Sequence, residues 1–164
     1  MRIKFIVIFR RDFTMPHGNR LRRGRVSEMG RTYLITTVTL EREPIFADFH
    51  LARSAILELR RCDALDLSRT LAFVLMPDHL HWLVELRDGS LCDLVQRFKS
   101  VSAKNINAMD ASPGRRRWQA GFHDHALRDE DDLPAMARYV VANPLRAGIV
   151  RTVRDYPHWD AVWL

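Results

Sequence analysis

The stretch "FVLMPDHLHWLVEL", residues 73–86, decides how this chain folds. It is two apolar runs broken at Pro77-Asp78. Proline lacks the N–H a sheet ladder needs, and Pro-Asp favours a turn. So "TLAFVLM" (70–76) reads as one strand and "HLHWLVEL" (79–86) as the next. Successive side chains of a strand point to opposite faces. Leu80, Trp82, Val84 and Leu86 then make one apolar face, expected against the helices. His79 and His81 share the other. The histidines are therefore carried on a core strand without belonging to its core face. Two imidazoles at i and i+2 can converge on one divalent cation. A bare H-x-H is a weak motif, and by itself it marks two hydrogen-bonded histidines more often than a metal site. A second one, His123-Asp124-His125, has a charged middle residue and a looser context.

Outward from this pair of strands the pattern continues in both directions. "RTYLITTVTLE" (31–41) is rich in β-branched residues and reads as an earlier strand. Asp48 caps a helix to about Arg61, whose apolar face is Leu51, Ala52, Ala55, Ile56 and Leu59. Asp88-Gly89 is a turn. Ser90 opens a second helix to about Asn105, with Leu91, Leu94, Val95, Phe98 and Val101 inward. "RWQAGFHDHALR" (117–128) reads as a further strand. Asp132 and Pro134 open a third helix that stops near Asn143-Pro144. The remainder is expected as a tail packed through Trp159 and Trp163. The order β-α-β-β-α-β-α predicts an α+β fold. It is a ferredoxin-like, RRM-like antiparallel sheet with helices packed on one face.

Composition narrows the function classes. The 164 residues suit one domain, and 47% hydrophobic content fits a folded core. No apolar run reaches the length of a membrane span, and the opening "MRIKFIVIFRRDF" lacks a signal-peptide cleavage site. Cys62 and Cys92 make neither a metal motif nor a disulfide framework, so they read as reduced thiols. The net charge of +6 is unevenly placed. Residues 1–31 hold nine Lys and Arg against Asp12 and Glu28, a net +7. The other 133 residues carry 17 basic and 18 acidic groups. The basicity belongs to an N-terminal arm, residues 1–30, centred on Arg20, Arg22, Arg23 and Arg25, ahead of a single domain over 31–164. An arginine arm is a usual means of gripping phosphates. Arg115, Arg116 and Arg117 form a second basic run.

Tyr139 lies on the third helix with Asn143 four residues later, so the two share a helical face. His, His and Asn around a cation beside a tyrosine suit phosphoryl transfer. The cation polarises a phosphodiester, and the phenol oxygen attacks it. From spacing alone, a helix residue packed on the sheet is an equally good reading of Tyr139.

At this point five blocks, in order and spacing, resemble a known family. They are "LRRGR...GRTYLITTVT" (21–39), "FVLMPDHLHWLVEL" (73–86), "LVQRFKS" (94–100), "RWQAGFHDHALR" (117–128) and "YVVANPLRAGIV" (139–150). The chain resembles the IS200-like single-tyrosine transposases, and among them the REP-associated tyrosine transposases. The resemblance implies a metal-dependent single-strand DNA endonuclease and strand transferase. It implies that His79-Leu80-His81 matches the HUH motif that ligates Mg²⁺ or Mn²⁺, and that Asn143 completes the coordination. Tyr139 matches the nucleophile that becomes linked to a DNA 5′-phosphate. Gly30, Arg31 and Tyr33, the basic arm and Arg115–Arg117 are expected to hold single-stranded or hairpin DNA of the REP class. Trp118 and Phe122 are expected in the core. A cytoplasmic protein, monomeric or homodimeric, follows from the same resemblance. The alternative is a non-catalytic DNA-binding regulator derived from a transposase. Asp78 replaces the family's more usual Asn, which is expected to matter little for ligation.

Overall fold

The computed structural model describes residues 27–164. Its elements are β1 (Thr32–Val38), α1 (Phe49–Ala64), β2 (Ser68–Met76), β3 (His79–Leu86), α2 (Leu91–Met109), β4 (His123–Ala126), α3 (Leu133–Val141), α4 (Asn143–Arg146) and β5 (Trp159–Ala161). The basic residues Arg20, Arg22, Arg23 and Arg25 lie outside the described residues.

The five strands form one antiparallel sheet in the order β4-β1-β3-β2-β5. The first four make the split βαβ arrangement expected of a ferredoxin-like fold. The β2–β3 hairpin turns at Pro77-Asp78, where Pro77 supplies its carbonyl to Phe46 N–H and Asp78 supplies its own to Thr39 N–H. The turn is thereby tied to the segment that follows β1.

Each of α1, α2 and α3 starts where a side chain satisfies its first amides. The Asp48 carboxylate accepts from the N–H groups of His50 and Leu51 at 2.8 and 3.0 Å. Ser90 accepts from Asp93 N–H, and Asp132 from Ala135 N–H. Pro144 cannot donate a backbone N–H to the carbonyl of Val140. The Asn143 side-chain amide donates there instead, at 2.7 Å. This substitution lets the chain pass from α3 into α4 with Ala142 still near helical geometry, at φ −78° and ψ 0°.

Two apolar layers flank the sheet. On one side α1 and α2 cover Ile35, Phe73, Leu75, Leu80, Trp82, Val84 and Leu86. On the other, Ala137, Val140 and Val141 of α3 cover Leu34, Leu71, Ala72, Val74 and Leu83. So the two long helices share a face, as expected, and the short third helix takes the opposite one. The cause is visible in β2, which is apolar on both faces and, with Leu83 of β3, needs cover on both. A bulge between Thr70 and Ala72 turns Leu71 onto the α3 side along with Ala72.

Three local expectations change. α2 continues to Met109 rather than Asn105, because Ile106 and Asn107 are also buried. The strand expected over 117–128 shrinks to β4, with one isolated bridge between Thr39 and Trp118 before it. Gly121, at φ +74°, breaks the run. Lys99 Nζ reaches the carbonyls of Gln119 and Gly121 there. The C-terminal segment becomes edge strand β5, in which Trp159 pairs with Val74, while Trp163 is left exposed.

Candidate active site

The alternation along β3 works as its sequence requires. Leu80, Trp82, Val84 and Leu86 enter the α1–α2 core, and Leu83 enters the α3 core. His79 and His81 share the face of Leu83. Their rings meet edge to face with centroids 4.8 Å apart. Each Nδ1 is engaged. Thr36, directly opposite His81 in the β1–β3 register, places its hydroxyl 2.9 Å from His81 Nδ1. Asp78 places a carboxylate oxygen 2.5 Å from His79 Nδ1 and pairs its other oxygen with Arg42 at 2.9 Å. A cation would then be held through Nε2 of each ring. An outer partner on Nδ1 is what fixes a ligating imidazole's tautomer and orientation.

Electrostatics favour a neutral, ligating ring at His81. Burial, then His79, then the charge of Arg146, push the His81 pKa down to about 3. Burial alone would raise the Asp78 carboxyl. The hydrogen bond and charge of His79, and then those of Arg42, outweigh it and hold Asp78 at about 2. Asp78 is therefore a carboxylate buttress for His79, a more direct role than its place beside the motif suggests.

The α3 helix brings the third part of the site to this face. Ala137, Val140 and Val141 point into the core, and Tyr139 is half-buried beside them. Asn143, at the start of α4, is held by its amide bond to Val140. Arg146 then folds back over the pair. Its guanidinium lies 3.9 Å from the Tyr139 ring centroid. Nη1 donates to the Tyr139 carbonyl at 2.9 Å, and Nη2 to Asn143 Oδ1 at 2.7 Å. Arg146 thereby ties the end of α3 to α4. Sequence reasoning did not single out Arg146. Its signal was the spacing: it stands seven residues, two helical turns, after Tyr139.

Among the described residues no three His, Cys, Asp or Glu side chains cluster to hold a metal ion. The donor set is two imidazoles, with the Asn143 amide oxygen as a further candidate that Arg146 already engages. Such a set fits a divalent cation that draws its remaining oxygens from water and from a phosphodiester.

A family model described as "Transposase IS200 like" matches residues 30–143, which include His79, His81, Tyr139 and Asn143. The chain belongs to the IS200-like transposase family. It is 24% identical over 160 residues to a candidate REP-associated tyrosine transposase of Haemophilus influenzae, covering 92% of this chain and 82% of that one. It is 27% identical over 109 residues to a REP-associated tyrosine transposase of Escherichia coli K12, covering 66% of this chain and 62% of that one. Two solved structures share the fold. One is a REP-associated tyrosine transposase bound to a REP hairpin, with TM-score 0.64 and 23% identity, covering 82% of this chain and 79% of the other. The second is a Deinococcus radiodurans protein assigned as a transposase, with TM-score 0.52 and 19% identity, covering 74% of this chain and 94% of the other. No helix among the described residues is long and apolar enough to cross a membrane.

The transposase distributes its expected DNA contacts unevenly. Arg116 is exposed. Arg115 is exposed and paired with Glu43 at 2.9 Å. Arg117 is a correction. It is 3% exposed, and its guanidinium is spent on Asn107, Asp110 and Ser112, which close the loop after α2. Tyr33 is a second correction. It is 3% exposed, lies in the α1–α2 core, and its hydroxyl accepts from Glu28 N–H. Gly30 turns the chain into β1 at φ +79°, and its N–H donates to Leu86 carbonyl. Arg31 is half-exposed and pairs with Glu28. Trp118 is in the core, where its indole N–H donates to Ser102, and Phe122 packs against that core. The second histidine pair is also placed. β4 sets His123 opposite Thr36 and His125 opposite Leu34, on the same sheet face as His79 and His81.

Proposed function

We propose that this transposase is a metal-dependent single-strand DNA endonuclease and strand transferase. Its substrate is hairpin DNA of the REP class with unpaired flanks, and it works through a covalent 5′-phosphotyrosine at Tyr139. The observation that carries the reading is the assembly on one sheet face: two tied imidazoles on β3, and Tyr139 with Asn143 across the α3–α4 junction.

His79 and His81 would hold Mg²⁺ or Mn²⁺ with help from Asn143, and the bound ion would supply Lewis-acid polarisation of the scissile phosphodiester. The chain's own residues do the rest. Thr36 and Asp78 keep both imidazoles oriented. The Tyr139 oxygen attacks phosphorus, the bond from phosphorus to the 3′ oxygen breaks, and a 3′-hydroxyl is released. The phenol proton passes to solvent, and the departing oxygen takes one up. The phosphate stays on Tyr139 as a diester that a second 3′-hydroxyl can reverse onto, which is strand transfer. Exposed Arg115 and Arg116, with the N-terminal arginines, would supply salt-dependent affinity for the backbone. The likeness to a relative solved with a REP hairpin supports that choice of DNA, and the family supports work in the cytoplasm, as monomer or homodimer.

The test is a denaturing gel with labelled single-stranded hairpins carrying their natural flanks. A metal-dependent nick with a protein-linked DNA band, abolished by EDTA and by Tyr139→Phe, is expected. Tight binding with no nick under either metal overturns the enzyme reading and leaves a DNA-binding regulator.

A further inference from the structure

The site built from the histidines, Tyr139 and Asn143 lacks a cation of its own aimed at the reacting phosphate, other than the ion it would bind. Arg146 answers that need. A guanidinium carries five N–H donors in one plane. Two are committed, to the Tyr139 carbonyl and to Asn143 Oδ1. Among the described residues no carboxylate pairs with Arg146. This sets it apart from Arg42, Arg87, Arg115 and Arg117, each of which has an acidic partner. The residue is exposed, yet its guanidinium is stacked over the Tyr139 ring. The group is thus held by three local contacts beside the nucleophile's side chain, is exposed to solvent, and has no carboxylate to balance it among the described residues.

We propose that Arg146 is the phosphate-binding residue of this site, holding the non-bridging oxygens of the scissile phosphodiester and then of the phosphotyrosine. The proposal rests on the reading of Tyr139 as nucleophile and deepens it. The planar fork matches a phosphate's oxygens, and a fixed cation beside phosphorus stabilises the negative charge that builds there as the new O–P bond forms and the old P–O bond breaks. The stack on the Tyr139 ring serves the same end, since it holds donor and phenol in one register. A lysine could supply the charge but neither the fork nor the planar stack.

The experiment uses the full chain and a flanked hairpin in two arms. In the first, single-turnover formation of the protein–DNA adduct is timed for wild type, Arg146→Ala and Arg146→Lys at saturating DNA. Alanine is expected to slow the step by about 10²–10³-fold, the usual effect of deleting one oxyanion donor. Lysine is expected to fall between alanine and wild type. In the second arm, hairpin affinity is followed against salt for Tyr139→Phe with and without Arg146→Ala. Loss of one phosphate contact is expected to lower the log–log slope by about 0.7–0.9. Adduct rates within about threefold of wild type would overturn the proposal. So would equal loss in alanine and lysine accompanied by a fall in melting temperature, which marks a structural role. If wild type forms no adduct, the nucleophile reading fails. The salt slope then decides phosphate binding alone, and an unchanged slope rejects it.

Discussion

Arg117→Ala separates a buried tie from a DNA contact, because the two roles move different observables. The side chain is 3% exposed. Its Nε donates to Asn107 Oδ1 at 2.6 Å, and the Asn107 amide in turn donates to the Arg115 carbonyl at 2.8 Å. Truncation leaves that Oδ1 without its donor in a residue only 8% exposed, a cost of about 1–3 kcal/mol. Lost packing of the aliphatic stem adds about 1 kcal/mol. Asp110 can rehydrate and adds nothing further. The sum, about 2–4 kcal/mol, corresponds to a fall in melting temperature of about 4–16 °C for a domain of this size. The assay is thermal unfolding by circular dichroism, paired with hairpin affinity measured against salt. The expected result is the thermal shift with an unchanged salt slope. Arg116→Ala should do the reverse, lowering the slope by about 0.7–0.9 with no thermal shift. The reasoning is refuted if Arg117→Ala melts within about 1 °C of wild type while its salt slope falls like that of Arg116→Ala.

Thr36→Val keeps the shape of the side chain but removes the hydroxyl on His81 Nδ1, so Mn²⁺ affinity by calorimetry should fall about 10–100-fold with the fold intact; equal affinity would show that the hydroxyl is incidental. Asp78→Ala should act similarly through His79, and its loss of the Arg42 pair should not be rescued by added salt. Tyr156 donates its hydroxyl to the Leu75 carbonyl at 2.7 Å, so Tyr156→Phe should destabilise by about 1–2 kcal/mol in urea unfolding, and no change would mean that the carbonyl finds another donor. His158 is buried beneath Tyr156 and Phe49, its Nδ1 has no hydrogen-bond partner, and burial, then Arg53, lower its pKa. A histidine kept neutral in the folded state binds fewer protons there than when unfolded. Its contribution is present above about pH 6.5 and is lost as pH falls below it. His158→Phe should therefore flatten the decline of stability between about pH 6.5 and 5; parallel curves for the two proteins would contradict this.

Local chemistry makes much of this protein legible in its sequence. Pro77-Asp78 has to break the apolar run, since proline cannot serve a ladder. The period of two along residues 79–86 then sets both histidines on one face, whatever lies beyond it. Asp48, Ser90 and Asp132 announce three helices, because their side chains satisfy amides a few residues away. These are short-range facts, carried by spacing along the chain. The i, i+4 relation of Tyr139 and Asn143 belongs with them, although Pro144 diverts the last turn and the Asn143 amide replaces the missing donor.

Tertiary structure decided what depends on residues far apart in sequence. Whether a basic or aromatic side chain faces water is settled by what packs over it. Arg117 and Tyr33 look like surface ligands in the sequence and are buried in the structure, one on Asn107 and Asp110, the other under the α1–α2 core. Thr36 is an ordinary strand threonine until the β1–β3 register sets it against His81, 45 positions away. The face that α3 covers follows from the same source. Only when β2 is seen to be apolar on both sides, with Leu83 of β3 beside it, does a short helix have to cross to the histidine face, carrying Tyr139 and Arg146 with it. Sequence alone determined the parts and their local geometry; the sheet's register and its two-sided burial determined which parts meet.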